Sequence, residues 1–181
     1  VENPDFAIDN TNDIGWLRYP DGSVDPEVLS YGWGPLEMPT RWRGNGFVDN
    51  ATYFGRNTVA IIHPISTDES SYVEQAVNLP LGGSYYLVFG LANIGKYLGN
   101  PGCADNIFKV SVTDDAADAS KILFYGVQST QDAWKHYMVR ISQYAGKNVT
   151  VRVDAIAGGP CNLWSGEWGA VDYVDIIPSA I

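Results

Sequence analysis

The chain has 181 residues, enough for one well-filled core and short for two, with 45% hydrophobic and only 18% charged residues. Its formal charge of −10 argues against nucleic acid or an anionic membrane surface as partner, since either would want clustered Lys and Arg. Aromatic residues are abundant (6 Trp, 11 Tyr, 6 Phe), and no run approaches the roughly 18 apolar residues of a membrane span.

Residues 1–16 read as a short strand followed by a polar turn, with Glu2, Asp5, Asp9 and Asp13 as a source of oxygen ligands. Residues 17–57 are rich in Gly, Pro and Trp and predict long loops with short strands, a pattern that suggests the loops have a task. Thr58–His63 is a strand ended by Pro64. Ser71–Asn78 alternates cleanly, and 79–83 is a turn. Tyr85–Ala92 is apolar on both faces, as a central sandwich strand would be. A loop at 93–105 follows, then a strand at 107–113 with Phe108, Val110 and Val112 inward. Residues 116–120 read as a loop or a single helical turn.

Ile122–Tyr125 is a short strand, 129–134 a linker, and Lys135–Ile141 another alternating strand. After a tight turn at 142–146, Asn148–Asp154 places Val149, Val151 and Val153 inward and Thr150, Arg152 and Asp154 outward. Residues 162–177 begin as a Gly-broken loop carrying Trp164, Glu167 and Trp168 and become a closing strand. Strict period two puts Ala170, Val174 and Ile176 on one face with Asp172, a carboxylate that must be paired, hydrogen-bonded or metal-bound if buried. Seven to nine short strands and no amphipathic helix predict an all-β antiparallel sandwich or jelly roll, a single domain spanning 1–181.

Cys103 and Cys161 both lie in turn-rich loops, which predicts a disulfide and an oxidising compartment; two cysteines alone cannot make a structural zinc site. The sequons at Asn50 and Asn148 fit the same secreted setting. His63 and His136 sit in separate strands, and the chain has no nucleophile elbow, zinc-ligand spacing or phosphate loop. The expectation is therefore not an enzyme.

The order of pieces resembles a known family. An Asn-Pro-Asp-Phe start, Tyr72-Val-Glu-Gln-Ala-Val-Asn-Leu-Pro80, the Tyr-rich strand after it, Tyr144-Ala-Gly-Lys-Asn-Val-Thr-Val151 and Ala170-Val-Asp-Tyr-Val-Asp-Ile176 are similar to the galactose-binding-like jelly rolls. These serve as carbohydrate-binding modules in secreted glycoside hydrolases. The resemblance implies an extracellular module attached to a catalytic domain, with a structural calcium near the chain ends. Asp172 matches the family's acidic residue of the closing strand, with Glu2, Asp5 or Asp9 to complete the shell. Ala7 stands where the family's N-terminal strand usually carries a Glu ligand.

Sugar binding asks for aromatic faces against the C–H side of a pyranose and for planar polar groups on its hydroxyls, held by rim loops. Trp33, Trp42, Trp164 and Trp168 are the stacking candidates, and Arg43, His63, Asn93, Tyr97 and Glu167 the polar or flanking ones. A bridge between the two cysteines would pin loop 93–105 against loop 158–168 and place the site at the loop end rather than on a broad sheet face. The expected ligand is a neutral plant-type polysaccharide or oligosaccharide, a β-linked galactan, xylan or glucan. The alternative is an extracellular structural or adhesive domain, such as a cell-surface or pilus subunit, without sugar affinity.

Overall fold

The computed structural model describes residues 1, 4, 14–15, 36–37, 42–44, 47–49, 59–62, 71–93, 105–129, 134–157 and 169–178. Five short strands come first: β1 (Ile14–Gly15), β2 (Leu36–Glu37), β3 (Arg43–Gly44), β4 (Phe47–Asp49) and β5 (Val59–Ile62). Longer ones follow: β6 (Ser71–Asn78), β7 (Tyr85–Asn93), β8 (Asp105–Asp114), β9 (Ala119–Ser129), β10 (Lys135–Arg140), β11 (Asn148–Ala157) and β12 (Gly169–Pro178). Among the described residues these form a seven-stranded sheet, β1-β2-β4-β5-β12-β7-β10, and a five-stranded sheet, β3-β6-β11-β8-β9. Every described pairing is antiparallel. The two sheets pack as a jelly-roll β-sandwich, the class that the alternation predicts.

β11 shows why. Its odd positions, Val149, Val151, Val153 and Ala155, are fully buried, and β6 and β8 flank it along nearly its whole length. Branched side chains at period two suit such a doubly paired strand, because each lies on the same face as its cross-strand neighbour. In the other sheet β7 lies between β12 and β10 and sends Leu87, Phe89 and Leu91 inward. Where β9 approaches β10, the rings of Phe89, Phe124 and Tyr137 close the sandwich, with centroids 4.5–5.9 Å apart.

Three local expectations change. The 116–120 segment is a turn running straight into β9, which starts at Ala119 and is longer than the 122–125 strand expected. The closing strand does not keep strict period two: its register shifts between Asp172 and Asp175, and Tyr173 adopts a positive φ of 53°. Val171 therefore pairs with Leu91 on the core side, while Asp172 pairs with Gly90 on the face away from the second sheet. Past the bulge, Val174 and Ile176 join the core. Lastly, the Cys103–Cys161 disulfide is corrected: no disulfide is found among the described residues, and both cysteines lie outside them.

At the turn end of the five-stranded sheet, Lys147 hydrogen-bonds Asp114 and holds its carboxyl below the ordinary aspartate range. A carboxyl lowered on folding adds stability that is complete above its unfolded value, about 3.9, and is lost as pH falls through the lower folded value. Lys147→Met should therefore flatten the acid limb of a urea-midpoint-versus-pH curve, and an unchanged limb would refute the pairing. Phe108 is fully buried, and a Cβ on Gly169 would lie 2.5 Å from its ring, so glycine makes room for the phenyl. Phe108→Ala should cost about 3–5 kcal/mol in urea unfolding.

Candidate functional site: the outward face of the five-stranded sheet

The residues of this sheet that do not face the core form rows across the strands. One row runs Arg43 (β3), Glu74 (β6), Arg152 (β11), Ser111 (β8) and Ile122 (β9). The next runs Tyr72, Asp154, Lys109 and Tyr125 on β6, β11, β8 and β9. Cross-strand neighbours on one face sit roughly 5 Å apart, so each row is a contiguous set of side chains.

Arg152 organises the first row and joins it to the second. Its guanidinium forks onto Asp154 through Nε and Nη2 at 2.9–3.1 Å, and Asp154 is wholly buried. The same guanidinium lies 3.7 Å from the centroid of the Tyr72 ring. Glu74 sits between two cations, 3.8 Å from Arg152 and 3.5 Å from Arg43. Burial alone would lower the Arg152 pKa, but the hydrogen bonds and charge of Asp154, with the charge of Glu74, hold it above its ordinary value. The guanidinium is thus a fixed cation, and Arg43, with 64% of its side chain exposed, extends the array into solvent. At the far side Tyr125 and Ile122 are 60% and 54% exposed, an apolar margin on the same face.

Of the residues singled out from sequence, Arg43 stands on this face. Trp42, its neighbour, points the other way and is buried in the core, so its ring is not presented to a ligand. Asn93 is the last residue of β7 and pairs with Gly169. Trp33, His63, Tyr97, Trp164, Glu167 and Trp168 lie outside the described residues. Tyr72, Glu74, Lys109, Tyr125, Arg152 and Asp154 were not candidates. The outward positions of β11 were legible from its alternation, but their neighbours on β6, β8 and β9 follow only from the register.

Asp172, the expected calcium ligand, is buried in the opposite sheet, and its Oδ1 accepts the Tyr173 N–H at 2.8 Å. A Cβ on Gly90 would come within 3.0 Å of the Asp172 carbonyl and 3.3 Å of the His136 ring, so glycine permits this close approach. The N-terminal segment reaches the same bulge: the Pro4 carbonyl accepts the Val174 N–H at 3.1 Å. Calcium wants six to eight oxygens, and the described residues hold no group of three or more His, Cys, Asp or Glu fit for a metal. Glu2, Asp5 and Asp9 lie outside the described residues. What fits is one buried carboxylate beside the N-terminal segment that carries the other acids.

Comparison of the sequence with family models and with curated proteins returns no match. Solved structures do match. A family 61 carbohydrate-binding module in complex with β-1,4-galactotriose superposes with a TM-score of 0.56 at 17% identity, over 77% of this chain and 90% of that one. The tandem family 22 modules of Paenibacillus barcinonensis Xyn10C give 0.53 at 15% identity, over 77% of this chain and 46% of that one. The family 22 and family 10 hydrolase modules of Clostridium thermocellum xylanase 10B, complexed with xylohexaose, give 0.52 at 15% identity, over 77% and 26%. The chain thus spans under half the length of the two xylanase fragments. At these identities the likeness is one of fold, and the fold is the jelly-roll β-sandwich of carbohydrate-binding modules.

Proposed function

We propose that this protein is a non-catalytic carbohydrate-binding module whose ligand lies across the outward face of the five-stranded sheet. One observation carries the reading: Tyr72 and Tyr125 end a single row, three strand spacings or about 14 Å apart, beside the polar array of Arg43, Glu74 and Arg152. The exposed Tyr125 ring can take the C–H face of a sugar, the Tyr72 ring carries the Arg152 guanidinium, and guanidinium and carboxylate groups bond paired hydroxyls. Asp154 and Glu74 hold Arg152 in place before any ligand arrives, which lowers the ordering cost of binding. This reading takes the sheet face as the binding surface, whereas the sequence points to the loop end, whose residues lie outside the described ones.

The module reading extends to a secreted, polysaccharide-degrading enzyme with a covalently attached catalytic domain. The galactotriose and xylohexaose of the structural neighbours make β-1,4-linked galactan and xylan the first ligands to test, with β-glucan beside them. Titration calorimetry should show confined binding of micromolar to sub-millimolar strength, and Tyr125→Ala should weaken it by about tenfold, the loss of a stacking contact. A folded sample silent across plant, microbial and animal glycans would remove this reading in favour of an adhesive domain.

We also propose a structural calcium held by Asp172 together with acids of the N-terminal segment, because Pro4 brings that segment to the bulge beside Asp172. Calcium there would tie the chain start to β12. Chelation should lower the melting temperature by about 5 °C, restored by calcium and not by magnesium. An unmoved melting temperature would exclude the ion.

A further inference from the structure

The two central rows of the outward face run against the charge of the chain. The protein carries −10 overall, yet the described side chains of the two rows comprise Arg43, Lys109 and Arg152 against only Glu74 and Asp154. Both carboxylates are already engaged. Asp154 is buried beneath the Arg152 fork, and Glu74 lies between two guanidinium groups. Lys109 stands opposite Asp154 in register but forms no ion pair among the described residues, where Arg152 takes that carboxylate. Its other neighbour is Tyr125, whose ring is largely in solvent.

An unpaired lysine at a sheet rim is ordinarily just hydrated. Lys109 is half-buried in the middle of a row, one strand spacing (about 4.8 Å) from an exposed aromatic ring. A sugar ring stacked on Tyr125 would therefore hold a substituent within reach of the ammonium; a neutral hydroxyl there accepts a hydrogen bond, and an anionic substituent gains an ion pair in addition. We propose, resting on the carbohydrate reading above, that this face selects glycans whose neutral backbone carries anionic groups, a uronate carboxylate or a sulfate ester, with the anion at Lys109. The chain's overall negative charge repels such ligands at long range, so the preference is a short-range one and sensitive to salt.

The test is titration calorimetry on the full chain, at fixed calcium, with three probes of equal backbone length: a neutral β-1,4-linked xylo-oligosaccharide, the same chain bearing one glucuronate branch, and a sulfated form. At low ionic strength the anionic probe should bind about three- to fivefold tighter than the neutral one, the size of an exposed ion pair, and the gap should close near roughly 0.5 M salt. Lys109→Met should bring the ratio to about one, and Lys109→Arg should retain it. Tighter binding of the uronate or of the sulfate supports the proposal and names the anion. Equal binding of all three, or a preference that survives Lys109→Met, overturns acid selection while leaving the carbohydrate reading in place. Failure of all three, and of a wider glycan panel, overturns both.

Discussion

A carboxylate with no solvent exposure has to be matched, and the outward face of this molecule is arranged around that requirement. Asp154 is matched by Arg152, two residues along the same strand and so on the same face. Once Arg152 is held, its guanidinium lies across Tyr72 and beside Glu74, and Glu74 in turn draws Arg43 from the neighbouring edge strand. Each step uses a residue whose position is set by the register of β11 with β6, and of β6 with β3. The polar array is therefore a consequence of strand pairing, whereas the apolar core on the other side is a consequence of composition.

That difference explains what was legible in the sequence. β6 and β11 were readable because alternation along one strand reports its own buried face, as Val149, Val151 and Val153 show, and β7 because it is apolar on both faces. The site was not readable in the same way. Tyr72, Arg152 and Tyr125 are far apart in the chain and become neighbours only when β6, β11, β8 and β9 pair. Trp42 illustrates the trap: beside glycines it looks like a loop aromatic, but pairing of Arg43 with Glu74 turns Arg43 outward and leaves Trp42 inside. The bulge in β12 was hidden for another reason. A positive φ usually announces itself as glycine or asparagine, and here the residue is Tyr173.

A jelly roll supplies two sheet faces and two sets of connecting loops, and unrelated functions use either. What separates them in this chain is the distribution of paired and unpaired polar groups. On the outward face of the five-stranded sheet an inner set of charges satisfies itself, around Asp154, and an outer set, Arg43 and Lys109, reaches solvent. A preformed inner layer carrying adaptable outer groups is how a rigid surface recognises a ligand without rearranging. The face of the opposite sheet has a different character, with Asp172 buried beside the strand bulge where the N-terminal segment arrives.

β9 shows how such a surface avoids serving as a template for other chains. Its 11 residues form the last strand of the five-stranded sheet among those described, and long outermost strands invite other chains to add to them. The register with β8 slips between Val110 and Ser111, so that Leu123 is an extra residue with no partner of its own. Leu123 and Phe124, adjacent in sequence, both pack against the core, while Ile122 and Tyr125 on either side remain exposed. The same irregularity that lets two consecutive side chains seal the mouth of the sandwich twists the strand away from flatness, and a twisted rim is a poor template for intermolecular β-pairing. The molecule can thus expose aromatic surface while denying neighbouring copies a straight edge on which to polymerise.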